Sequence, residues 1–150
     1  MDPRERLTKC VSGAELERRW KAVREMMQER RIDYLLMQNC EEFLGGTLRW
    51  FTDFSARRQF PMTVIFPVDD EMTTINCGGD PPAEQFPPAW AGFKGIKNRL
   101  GACYFQTIPY TNTLDAEIAA SVLKEKKKAT IGLVEPAFIP MTFYNYLVKG

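Results

Sequence analysis

A stripe of apolar residues at helical spacing runs straight into a short apolar block, and this junction narrows the choice of fold more than any other feature. Leu16, Trp20, Val23 and Met27 recur at i, i+4, i+7 and i+11, with Glu17, Arg18, Arg24, Glu25 and Arg31 on the other faces. That spacing predicts an amphipathic helix burying one side. Ser12-Gly13-Ala14-Glu15 has the Ser-x-x-Glu form in which hydroxyl and carboxylate each satisfy a free amide at a helix start. Ile32 to Met37 follows as a nearly continuous apolar run, the pattern of a strand buried on both faces. Such a strand needs a packed layer on each side of its sheet.

The rest of the chain fits that plan. Asn39 to Phe54 reads as helix then loop: Glu41 and Glu42 suit a first helical turn, Gly45-Gly46 interrupts it, and Leu48 to Phe54 is aromatic. Phe60 to Val68 and Met72 to Cys77 are rich in Val, Ile, Thr and Phe and are joined by Asp69-Asp70-Glu71, a β-hairpin with a charged turn. Gly78-Gly79, Pro81-Pro82 and Pro87-Pro88 break regular structure over 78–99, leaving room for a short helix carrying Trp90 and Phe93. A strand is expected over Ala102 to Ile108. A helix is expected over Thr113 to Lys126, with Leu114, Ile118, Val122 and Ala119 inward and Lys124, Lys126, Lys127 and Lys128 solvated at its negative end. Thr130 to Val134 then reads as a buried strand, and Ile139 to Val148 as a helix beginning near Pro140. The predicted fold class is α/β: a single domain over 1–150, with a mixed β-sheet of about five to six strands and helices on both faces.

Composition limits the chemistry. Twenty basic residues face nineteen acidic ones, so no long-range field favours nucleic acid or an anionic membrane as partner. No segment approaches about eighteen consecutive apolar residues, and the opening Met1-Asp2-Pro3-Arg4 has no apolar stretch behind it, so the cytoplasm is the expected location. Cys10, Cys40, Cys77 and Cys103 are far apart with no Cys-x-x-Cys pair, which favours reduced thiols over a disulfide framework. There is no histidine, hence neither the usual general base nor the commonest transition-metal ligand. A carboxylate or thiolate site stays open, but no short spacing announces one.

Arg49, Arg57 and Arg58 flank an aromatic group of Trp50, Phe54 and Phe60. A guanidinium there could clamp a substrate carboxylate or simply stack on the rings at the surface. Trp50 and Phe51 suit a core or a subunit contact better than a ligand cage. Asp69, Asp70 and Glu71 offer hard oxygens for a cation, although adjacent carboxylates in a turn are usually just solvated. Gly78-Gly79-Asp80 lacks the lysine and hydroxyl of a phosphate loop. Pro87, Trp90 and Phe93 form either an exposed partner patch or packing beneath their loop.

Leu48-Arg49-Trp50-Phe51-Thr52-Asp53-Phe54 resembles the Ile-Arg-Tyr-Leu-Thr-Gly-Phe signature of the amino-terminal domain of creatinases, prolidases and aminopeptidase P proteins. Ile32-Asp33-Tyr34-Leu35-Leu36 is similar to that family's first strand, and Ile131-Gly132-Leu133-Val134-Glu135, with Pro140 and Tyr144, to its closing strand and helix. Asp53 stands where the family has glycine. The resemblance spans roughly 12–150 and is vague over 78–100. It implies a ribonuclease H-like motif followed, in whole enzymes, by a pita-bread catalytic domain. There two aspartates, a histidine and two glutamates hold two divalent ions (manganese, cobalt or zinc) that activate a bridging water. No catalytic residue, metal ligand or cofactor carries over to this chain.

The implied role is therefore non-catalytic. The expected partners are the chain's own C-terminal catalytic domain and a second subunit of a homodimer, with Arg49, Trp50, Phe54, Arg57, Arg58, Trp90 and Phe93 as candidate substrate-contact or interface residues. The alternative is a stand-alone binding protein that keeps this fold without a catalytic domain. A third possibility is a thiol enzyme using one of the four cysteines.

Overall fold

The computed structural model describes residues 11–39, 46–53, 61–77, 94–103, 108–124 and 126–149. Helix α1, Gly13–Glu29, starts on Ser12, whose hydroxyl accepts from the Glu15 amide at 3.2 Å. The reciprocal half of the capping box does not form, because the Glu15 carboxylate turns to Arg18 and Arg19 instead. Leu16, Trp20 and Met27 are buried and Val23 partly so, the face read from the sequence. Arg31, at φ 55°, ends the helix and turns the chain into β1, Tyr34–Asn39.

The remaining elements are α2 (Gly46–Thr52), β2 (Met62–Pro67), β3 (Met72–Cys77), β4 (Ile96–Ala102), α3 (Leu114–Leu123), β5 (Ile131–Leu133), a 3-10 turn at Pro136–Phe138 and α4 (Met141–Lys149). Among the described residues they form a five-stranded mixed sheet in the order β4-β3-β2-β1-β5. β1 and β3 flank β2 antiparallel, while β5 runs parallel to β1 and β4 parallel to β3. β2 sits centrally and all six of its residues are buried, as two-sided coverage requires.

Alternation along the strands divides the core in two. Leu35, Met37, Val64 and Phe66 join Leu16, Trp20 and Met27 of α1 and Leu48 and Phe51 of α2 on one face. Leu36, Ile65 and Ile75 join Ala116, Ala119 and Leu123 of α3 and Phe143 of α4 on the other. Helices thus cover both faces. No described helix is long and apolar enough to cross a membrane.

Four expectations need correction. The strand expected over Ala102 to Ile108 lies earlier, at Ile96–Ala102; Lys97, Asn98 and Gly101 are exposed there because β4 is an edge strand, so the apolar signal is weak. Residues 104–107 lie outside the described residues. Leu48 to Thr52, read as loop, is helical. α3 turns Asp115, Ala116, Ala119, Ala120 and Leu123 inward, leaving Leu114, Ile118 and Val122 only partly buried; an apolar helix gives no directional signal, and small residues settle closest to the sheet. β5 is not a buried strand either, since Ile131 and Leu133 are exposed at the sheet's edge. The readings of Glu41, Glu42 and the helix carrying Trp90 and Phe93 fall outside the described residues.

Candidate functional site

Trp20 anchors α1 to α2. Its indole Nε1 donates to the buried Phe51 carbonyl at 2.8 Å, satisfying a carbonyl that α2 leaves over at its end. The Phe51 ring then meets Phe66 edge to face, 5.1 Å between centroids, a favoured aromatic geometry. With Phe51 fixed inward, Trp50 is carried outward and is 40% exposed. The Thr52 hydroxyl donates to the Leu48 carbonyl at 2.7 Å, and Asp53 closes the helix at φ 58°. Aspartate tolerates this left-handed geometry, which glycine adopts freely. Asp53 Oδ2 also accepts from the Val11 amide at 2.8 Å.

Among the described residues, the arginine over the Trp50 ring is Arg19. Its guanidinium lies 5.3 Å from the centre of the Trp50 ring, within cation–π range, and donates to the Trp50 carbonyl at 3.1 Å. Glu15 steers it, with Arg19 Nε 2.9 Å away. Hydrogen bonds from Arg18 and then Arg19 hold the Glu15 carboxyl down to about 2. Arg49, one of the three arginines singled out in the sequence, turns along α2 toward Asp53, Nε to Oδ1 3.8 Å. Phe54, Arg57, Arg58, Trp90 and Phe93 lie outside the described residues.

Beside Trp50 an open groove of about 710 Å³ runs between α1, α2 and the start and end of the β1/β5 pair. Val23, Met26, Leu35, Trp50 and Phe51 give it apolar walls, with Arg30 and Glu135 among its charged lining. Gly132 lets Leu35 pack against the β5 backbone: a Cβ there would sit 2.8 Å from Leu35 Cδ2. Apolar concavity with few charged groups suits a docking segment or ligand. Three stretches far apart in sequence, at Ile32 and Leu35, Gly46 to Phe51, and Gly132 to Glu135, meet on it.

The acidic hairpin turn is engaged rather than merely solvated. Asp70 accepts from Lys97 at 2.8 Å and from the Glu71 amide at 2.8 Å, and Lys97 above all lowers its pKa. Arg24 lies 4.8 Å over the Phe66 ring and donates to the Pro67 and Asp70 carbonyls. Its burial lowers its pKa against the pull of Asp69, Asp70 and Glu71. Lys126, read as part of a solvated cluster, pairs with Asp33. That bond lowers the Asp33 pKa, and the Thr130 amide, 2.7 Å from Asp33 Oδ2, adds to it. Among the described residues no group of three or more His, Cys, Asp or Glu could hold a metal ion. Cys103 is a free, exposed thiol.

The sequence reading missed one buried polar cluster. Gln38 Nε2 donates to Thr63 Oγ1 at 2.9 Å and to Asp115 Oδ2 at 2.7 Å, and all three residues are buried. Its only sequence signal is a glutamine closing an apolar run. Gln38 Oε1 has no hydrogen-bond partner among the described residues.

No protein-family model and no curated protein matches this chain.

Proposed function

We propose that the chain is the non-catalytic α/β domain, with a ribonuclease H-like motif, that opens a creatinase- or prolidase-type metallohydrolase, where it helps form the dimer and covers the active site. One observation carries this reading. Residues from the three stretches that resemble the family's motifs, Ile32 and Leu35, Trp50 and Phe51, and Gly132 to Glu135, are separated by up to about a hundred residues yet line one groove. Shared motifs that meet on one concave surface are best explained by a surface that does something together. The groove's apolar walls and the exposed Trp50 suit a contact with protein, because aromatic residues concentrate at such interfaces.

The chemistry of the parent, cleavage of Xaa-Pro peptides or of a small amidino or betaine-like compound, would belong to a domain beyond Gly150. No step of it is assigned to residues of this chain. The test is to read the gene past the Gly150 codon. A continuation encoding two aspartates, a histidine and two glutamates in the family's order supports the reading. A stop codon there sinks it and favours a stand-alone binding protein that uses the same groove. Assay of the 150-residue chain with manganese, cobalt or zinc against proline dipeptides and creatine should show no turnover; turnover by this chain would refute the non-catalytic role.

A further inference from the structure

The outer edge of β5, which no described strand covers, is shaped to pair with itself. β5 lies parallel to β1, with Ile131, Gly132 and Leu133 opposite Tyr34, Leu35 and Leu36. Just outside this stretch, the Tyr34 amide donates to the Thr130 carbonyl at 3.2 Å and the Val134 amide to the Leu36 carbonyl at 2.9 Å. In a parallel ladder alternate residues direct their peptide groups to the same neighbour. Thr130, Gly132 and Val134 therefore face β1, and the N–H and C=O groups of Ile131 and Leu133 face outward. β5 is the last strand of the described sheet, and both residues are 37% exposed.

An edge of this kind is a template for another strand. We propose that β5 pairs antiparallel with β5 of a second copy, Ile131 of each against Leu133 of the other, about a two-fold axis at Gly132. The pairing rests on the dimer half of the reading above and gives it a surface. Backbone geometry selects the register: this alignment joins every outward N–H and C=O of the two β5 strands in four hydrogen bonds, whereas with Ile131 opposite Ile131 the Leu133 groups fall beyond the partner's β5.

Charge selects the partner. Lys127 and Lys128 precede β5 and Glu135 follows it; all three are exposed, and none forms an ion pair with a described residue. Antiparallel pairing sets the lysines of each copy beside the glutamate of the other at both ends, while parallel pairing would set like charges together. The axis stands perpendicular to the sheet, so each face continues across it. Exposed Phe138, Met141 and Tyr144, in the α3/α4 layer, then share one side with their copies, and the two grooves share the other.

Analytical ultracentrifugation of the 150-residue chain tests this with two charge variants, Glu135→Lys and Lys127→Glu/Lys128→Glu. The wild type should sediment at about twice 17.2 kDa. Each variant alone should dimerise roughly tenfold more weakly, and an equimolar mixture should recover a heterodimer, since attraction returns at both ends. Leu133→Pro, which removes an outward N–H that β1 does not use, should also weaken the dimer. Wild-type-like dimers from both charge variants and from the proline variant would overturn the edge pairing and leave the dimer reading standing. A monomeric wild type would overturn both, leaving the domain assignment to the gene sequence.

Discussion

The side-chain amide of Gln38, near the end of β1, donates to the carboxylate of Asp115, in the first turn of α3, at 2.7 Å across 77 residues of sequence. This bond ties the helix layer to the centre of the sheet inside an otherwise apolar region. Asp115 Oδ1 also accepts from the Ala116 amide at 2.9 Å, in the first turn of α3, where the helix dipole favours an acidic side chain.

Removing one partner of a buried hydrogen bond leaves the other stranded. Asp115→Ala should therefore destabilise the chain by about 2 kcal/mol, and Asp115→Asn, which keeps an acceptor oxygen, by less. Urea denaturation measures both. Equal losses would mean that the carboxylate is not held by Gln38.

Gly95 precedes β4 at φ 71°, and a Cβ there would lie 2.5 Å from the Trp20 ring. That ring cannot step aside without breaking its bond to Phe51. Left-handed strain and overpacking together should make Gly95→Ala cost about 3 kcal/mol. A thermal midpoint within error of wild type would show that Trp20 has room to move.

Trp20→Phe keeps most of the apolar volume but strands the Phe51 carbonyl, so a loss of about 1–2 kcal/mol is expected. The defect should be local. Hydrogen exchange should rise in α2 more than in α3, and uniform acceleration would argue against the anchoring role.

Acid should unfold this protein through three exposed or half-exposed carboxylates. Glu15 is held down to about 2 and the Asp33 and Asp70 pKa values are lowered, by Arg18 and Arg19, Lys126, and Lys97 respectively. Each folded pKa lies below its unfolded value, 3.8 for aspartate and 4.5 for glutamate. Their stabilisation is therefore complete above about pH 5 and falls away as pH drops from there toward 2. The urea midpoint should be flat near neutrality and decline in that window, less steeply in high salt because exposed pairs are screened. Asp33→Asn should remove part of the decline; an unchanged acid profile would dismiss the Lys126 pair.

The elements with one strong local signal were legible without coordinates. Ser12 and the Leu16, Trp20, Met27 stripe fix α1, and Val, Ile, Thr and Phe about Asp69 to Glu71 fix the hairpin. Where the local signal was mixed the reading slipped, as at β4 with its exposed polar residues. For the candidate site, Trp50 was found, but its arginine was sought among Arg49, Arg57 and Arg58, whereas among the described residues the one over the ring is Arg19, 31 positions away.

Periodicity and cap chemistry act within a turn or a strand, so the sequence alone determined that this chain builds a mixed α/β sheet between helix layers. Which strand lies at the edge, which helix face meets the sheet and which distant side chains share the groove depend on contacts between residues far apart. Those were decided only when α1, α2 and β5 packed against β1. Ile131 and Leu133 illustrate the reason: a neighbouring strand would have buried them, and nothing in their own segment says that none of the described strands lies there.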